Sequence, residues 1–212
     1  MNTHPYLIFV HGEGIHELLY AYLSGAHTVY DAQISDRGSV FLVYPCEDQG
    51  QRWLRTQLLS ALSHARHGEY KAPDIGVSAQ LDDTETGLPV AFMQARTALK
   101  FMFYAQDGSL TLYEDLSLEL TRDATIAMAD ENALMLAIDQ GDKTAVGESL
   151  RRIFMHMSWP RSRSSLVLRA LNRLCARLQA HNVNTHPLEE SLRKNLRFRE
   201  LEQVFIHHLA EE

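Results

Sequence analysis

Along the first 115 residues the apolar positions switch back and forth between the rhythm of strands and that of helices. "HPYLIFVHG" is a short apolar run rich in aromatic and β-branched residues and predicts a strand. In "GIHELLYAYLSG", Ile15, Leu18, Leu19, Tyr22 and Leu23 recur at helical spacing before Gly25. "HTVYDAQIS" and "VFLVYP" flank the turn formers Asp36-Arg37-Gly38-Ser39, which predicts a β-hairpin that ends at Pro45. "EDQGQRWLRTQLLSALSHARHG" predicts a second helix that buries Trp53, Leu54, Gln57, Leu58, Ala61 and Leu62 and stops at Gly68. "DIGVSAQL" follows as another short strand.

In "GLPVAFMQARTALKFMFYAQDGSLTLYED", Leu88, Phe92, Ala95, Leu99 and Met102 alternate spacings of four and three, which sets them on one helix face. Asp107-Gly108 turns the chain, and "SLTLYED" alternates as a half-buried strand does. The order strand, helix, strand, strand, helix, strand, helix, strand predicts an α+β unit over residues 1–116, an antiparallel-rich sheet with helices on its faces.

From residue 117 the strand rhythm stops. "ADENALMLAIDQGD" predicts a helix ending at Gly141, and "KTAVGESLRRIFMHMSW" one stopped by Pro160. In the next segment Val167, Leu171, Leu174 and Leu178 share one face, with Arg169, Arg173 and Arg177 on another. "PLEESLRKNLRFRELEQVFIHHLAEE" reads as one helix or a broken pair. Residues 117–212 are therefore expected to form an α-helical bundle, a linker or dimerisation region whose Val167–Leu178 face packs either within the bundle or on a second copy.

Composition, 45% hydrophobic and 22% charged over 212 residues, is that of a soluble globular protein long enough for one large domain or two small ones. No apolar run approaches the roughly 20 residues that span a bilayer. The start, "MNTHPYLIFVHGEG", shows neither a basic leader nor a small-residue cleavage site, so a cytoplasmic location without membrane contact is expected. Residues 151–212 hold 11 Lys/Arg against 6 Asp/Glu, a balance of +5, and residues 1–150 carry −12. That asymmetry again points to two modules, and the acidic residues interspersed in the rear favour a solvated helical face over a nucleic-acid surface.

Candidate chemistry is sparse. Cys46 and Cys175 are far apart and read as buried or half-buried thiols. "HGEGIHE" groups His11, Glu13, His16 and Glu17, His64 and His67 share a helix turn, and His207-His208 diverge, but none has the spacing of a zinc helix. "GEG" lacks the rest of a phosphate loop, and "GVSAQL" lacks the second glycine of a nucleophile elbow. No catalytic residue, metal ligand or cofactor is assigned, and no enzymatic activity is expected.

Residues 4–115, and above all Ile75-Gly76-Val77-Ser78, then Ala91 or Ala95 with Ala98 and Leu99, then Tyr113-Glu114-Asp115, resemble the GGDEF-like regulatory domain of AraC-type transcriptional regulators and response regulators, the YesN-like group. Phe92 stands near the family's usual aromatic. The resemblance covers about half of the chain, and the helical rear resembles the linker before the DNA-binding domain of such proteins. It implies a degenerate GGDEF-like domain with a ferredoxin-like core. Active members of the wider group convert GTP to cyclic di-GMP with metal-binding carboxylates and a Gly-Gly-Asp/Glu-Glu-Phe hairpin. The corresponding turn here is Arg37-Gly38-Ser39-Val40-Phe41, and the first strand offers no carboxylate, so the cyclase reaction is expected to be absent.

What the resemblance implies is a non-catalytic signal-coupling and dimerisation region of a two-component type regulator, a homodimer that reaches DNA only through a downstream domain. AraC-type DNA binding needs two helix-turn-helix units in roughly 100 residues; the basic segment "ESLRKNLRFRELEQVFIHHL" is too short for them, and its Glu200 and Glu202 would oppose phosphates. The alternative is a sensor binding a small molecule or nucleotide beside the sheet, with His11, Glu13, Tyr44 and Arg37 as its polar candidates.

Overall fold

A computed structural model describes residues 4–46, 49–68, 71–82, 84–105, 108–116, 124–158, 164–194 and 196–211. The chain divides into two compact units, Met1–Ser117 and Leu118–Glu212. In the first, the order is β1 (Tyr6–His11), α1 (His16–Leu23), β2 (Thr28–Ser35), β3 (Gly38–Tyr44), α2 (Gln51–His67), β4 (Asp74–Val77), α3 (Thr84–Leu99) and β5 (Ser109–Leu112), with 3-10 turns at Lys100–Tyr104 and Tyr113–Asp115.

The strands form one sheet in the order β2-β3-β1-β4-β5. β1 pairs antiparallel with both β3 and β4, and β2 pairs antiparallel with β3. The first four strands with α1 and α2 therefore make a β-α-β-β-α-β unit of ferredoxin-like order. α3 then crosses over to add β5 parallel to β4. The fold is α+β.

Alternation along the strands divides the core between the two faces. On one, Ile8, Val10, Phe41, Val43, Ile75 and Val77 pack against Ile15, Leu19 and Leu23 of the α1 segment and Leu54, Leu58, Ala61, Leu62 and Ala65 of α2. The other face holds a smaller cluster of Leu7, Leu81, Ala91 and Ala95, with Phe9, Val40, Leu42, Leu88 and Phe92 packed around it. α3 covers β1, β4 and β5 on this side.

Three details depart from the sequence reading. The hairpin turn is only Asp36-Arg37, because Gly38 and Ser39 join the ladder and pair with His11 and Val10 of β1. α3 starts three residues before Gly87 and ends at Leu99, which leaves Met102 on the following 3-10 turn. The fully buried positions of the α3 face are Ala91, Ala95 and Ala98, while Leu88, Phe92 and Leu99 are half-buried. The reason is Gly76: a Cβ there would lie 2.2 Å from the Ala95 carbonyl oxygen and 2.4 Å from the Leu99 nitrogen. Helix backbone rests directly on strand backbone, and only small side chains fit along that seam. Asp107 of the expected turn and Pro160 lie outside the described residues; Gly108 has φ +55°, and a Cβ on it would meet Ala72 Cβ at 2.7 Å.

The second unit contains α4 (Met128–Asp139), α5 (Lys143–Ser158), α6 (Ser164–Ala180), α7 (His186–Arg193) and α8 (Phe198–Ile206), followed by a wider turn over His207–Glu211. Gly141, at φ +67°, reverses the chain between α4 and α5. Phe154 of α5 meets the rings of Phe198 and Phe205 edge-on at 5.4 and 5.6 Å. The last segment is a broken pair of helices, and Glu200 accepts the Arg197 N–H at 2.7 Å to cap α8. Val167, Leu171, Leu174 and Leu178 are all fully buried, so this face packs within the unit and is unavailable to a second copy. Among the described residues no helix is long and apolar enough to cross a membrane.

Gly76→Ala is expected to lower stability by about 3 kcal/mol in urea unfolding, because backbone on both sides leaves the added methyl nowhere to go. Gly50→Ala, with open space around it, is expected to cost under about 1 kcal/mol.

Candidate functional site

The polar residues singled out in the sequence gather, in part, where β1 ends beside the β2–β3 turn. β1 delivers His11 opposite Gly38, and the Gly12 N–H donates to the Arg37 carbonyl at 2.9 Å. Gly14, at φ +65°, then turns the chain toward α1. Glu13 meets Arg37 in an ion pair of 2.5 Å between two well-exposed side chains. Tyr44 is not part of this corner: it sits at the other end of β3, its ring 6.0 Å from that of Tyr30. The four candidate ligand residues therefore do not enclose one pocket.

A second constellation, spread through the sequence, is better organised. His16 opens α1 and stacks on Phe41, with ring centroids 5.1 Å apart. With its Nε2–H donating to Asp31 Oδ2 at 2.7 Å, its Nδ1 accepts the Ser39 hydroxyl at 3.0 Å. Asp31 on β2 and Ser39 on β3 share the sheet face that α1 covers, because Asp31 pairs with Phe41 and Gln33 pairs with Ser39. Sequence proximity grouped His16 with His11 and Glu13. The usable signal was that Asp31 and Ser39 fall at every-second-residue positions on the face that receives α1.

Serine, imidazole and carboxylate in hydrogen-bonded line have the composition of an acyl-transfer triad, but the surroundings withhold the remaining parts. Ser39 is 5% exposed, and its backbone is taken up between β1 and β2, so its hydroxyl is closed in by the sheet and the helix above it. The arrangement ties α1 to the hairpin. Each side chain of the His16–Asp31 pair is about a third exposed, so its strength is that of a surface pair, about 1 kcal/mol or less.

Several other histidines are individually engaged. His64 Nδ1 meets the Tyr22 hydroxyl at 3.1 Å beside a shallow groove that also includes Ser60, Ser63 and His67, and His67 Nδ1 meets its own helix's Ser63 carbonyl at 2.9 Å. In the second unit, His156 reaches Asp130 at 3.0 Å and His181 reaches Asp139 at 3.1 Å, while His207 and His208 point to Glu211 and to the Asn184 carbonyl. Among the described residues no three His, Cys, Asp or Glu side chains are grouped as a metal site.

Of the thiols, Cys46 is half-buried and Cys175 is buried on α6. Burial, with a smaller contribution from the Glu189 charge, pushes Cys175 from 9.0 up to about 12. Burial and Glu114 also push the Tyr6 hydroxyl upward.

Comparison with models of known protein families, with curated proteins and with solved structures returns no match to this chain.

Two outcomes are expected from this geometry. A His16→Ala/Asp31→Ala double-mutant cycle should return a coupling of about 1 kcal/mol or less, with no nitrophenyl-ester hydrolysis that depends on Ser39. Because Cys175 is raised in the folded state, the unfolded chain loses its thiol proton first. Stability should therefore be complete below pH 9 and fall as pH rises toward 12, and Cys175→Ala should flatten that limb of a denaturation-versus-pH curve.

Proposed function

We propose that this chain is the non-catalytic regulatory and signal-coupling region of an AraC-type bacterial transcription regulator of the two-component response-regulator kind. It works in the cytoplasm as a homodimer and leaves DNA contact to a separate domain. The resemblance of residues 4–115 to a degenerate GGDEF-like domain supplies the family, and the corner between β1 and the β2–β3 turn carries the non-catalytic part of the reading. In a cyclase of that group this corner holds carboxylates for metal and a glycine-rich turn for GTP. Here Arg37 occupies the turn and is neutralised by Glu13, and the only carboxylate on β2, Asp31, is engaged by His16. With these side chains committed to each other, Asp36 is the turn's remaining carboxylate, and a single carboxylate is no cradle for a triphosphate and its magnesium.

The second unit suits coupling for a different reason. Its helices are joined by charged contacts across elements, Arg177 of α6 to Glu131 of α4 at 2.8 Å and His156 of α5 to Asp130 of α4 at 3.0 Å, so a displacement of one helix is felt by the others. The sensor alternative draws less from the geometry, since Tyr44 stands apart from His11, Glu13 and Arg37.

Light scattering of the full chain after size exclusion is expected to give twice the monomer mass of 24.1 kDa, and GTP with magnesium should remain unconverted over hours. Turnover of GTP that disappears in Glu13→Gln would overturn the non-catalytic reading, and a monomer at high concentration would overturn the homodimer.

A further inference from the structure

Near the C-terminal end of α2, Ser60, Ser63, His64 and His67 share one side of the helix, and with Tyr22 of α1 and Gly68 they line a single groove. We infer that this groove is a divalent-metal site, with His64 and His67 as its ligands and an ion that prefers imidazole, Zn²⁺ or Cu²⁺, as its occupant. The site stands whether or not the chain is a regulator.

The hydrogen bonds decide which ring nitrogens are on offer. A carbonyl oxygen only accepts, so His67, whose Nδ1 lies 2.9 Å from the Ser63 carbonyl oxygen, carries its proton there. In the neutral ring that leaves Nε2 as a lone pair. His64 Nδ1 lies 3.1 Å from the Tyr22 hydroxyl, which accepts as readily as it donates. An ion on His64 Nε2 keeps the proton on Nδ1, and the Tyr22 oxygen then accepts it. Both rings are thus oriented through Nδ1 by an oxygen, the outer support by which metal-binding imidazoles are ordinarily held. His16 is the contrast: Asp31 engages its Nε2 and Ser39 its Nδ1, so neither nitrogen is open to an ion.

Spacing and charge point the same way. Residues three apart on a helix have Cβ atoms about 5–6 Å apart, close enough for two Nε2 atoms to meet one ion at about 2.0–2.1 Å. The spacing differs from the four of a zinc-protease helix, and the groove lining adds no third His, Cys, Asp or Glu, so water completes the shell and the ion stays exchangeable. The groove also sits at the C-terminal end of a 17-residue helix, whose dipole draws a cation and repels an anion. Arg66 of the same turn does not line the groove and donates instead to the Gly108 carbonyl at 3.1 Å. With no carboxylate in its lining, the groove has little to offer Mg²⁺ or Ca²⁺, which require oxygen ligands.

The test is calorimetric titration of the full chain with Zn²⁺ in a non-chelating buffer, beside a Cu²⁺ titration read by electron paramagnetic resonance. One site is expected to bind Zn²⁺ more tightly than the chain's other histidines do, and the first equivalent of Cu²⁺ should show two nitrogen ligands. His64→Ala and His67→Ala should each weaken that site about tenfold or more, with an unchanged far-UV spectrum because both side chains are exposed. His156→Ala removes an exposed imidazole that Asp130 holds and that has no second histidine on its turn, and it should leave the site unchanged. A tight site that is lost with His156 or kept in both α2 variants overturns the assignment, as does Zn²⁺ binding that is uniformly weak.

Discussion

The first unit is organised around a contact between two backbones. Gly76 of β4 lies so close to Ala95 and Leu99 of α3 that no side chain fits between them. The alanines at 91, 95 and 98 let the helix down onto the strand, and that approach sets the path by which the chain leaves β4 and returns as β5. Without it, β4 would be the sheet's last strand and the second face would lose the helix over Leu7 and Phe9. On the opposite face the same strands are held in the ordinary way, by large aliphatic side chains of α1 and α2 meeting Ile8, Val10, Phe41 and Ile75. One sheet thus carries two kinds of adhesion, side-chain burial on one side and close backbone packing on the other.

This difference explains what could be read in advance. Elements whose contacts run through large side chains were legible: Ile15, Leu19 and Leu23 for α1, Leu54, Leu58 and Leu62 for α2, and the Val167–Leu178 face of α6 all announce themselves by spacing. The α3 seam was less so, because alanine and glycine contribute little to a hydrophobic pattern even when they mark the tightest packing. Gly38-Ser39 misled for a related reason. Turn-forming residues predict a turn there, whereas the position of β1 draws both into the ladder. The site was least legible. Its most ordered cluster joins residues 15 and 23 positions apart, a proximity that exists only once α1 has been laid on β2 and β3.

The charge asymmetry reads differently once the partners are known. Part of the basic surplus of the rear is paired from one helix to another at the surface, where Arg177 meets Glu131 and Asn132 and Arg152 approaches Asp130. Glu200, which in sequence looked like an obstacle to phosphate, caps the last helix instead. These charges, which suggest a ligand in a linear reading, position secondary structure instead, and each pair contributes the modest energy of a half-solvated contact.

The two margins of the sheet are unequal. β5 has four residues and runs straight into the Tyr113–Asp115 turn, whose carboxylates are engaged from α2, Asp115 by Arg55 at 3.2 Å and Glu114 by Gln51. β2 is twice as long, and it is interrupted instead by a bulge between Gln33 and Ser35, with its one carboxylate, Asp31, drawn onto the face beneath α1. The two margins are thus blunted by different means, a short strand with an immediate turn on one side and a kinked ladder on the other. A long edge strand is made a poor template for further pairing without a single lysine or proline.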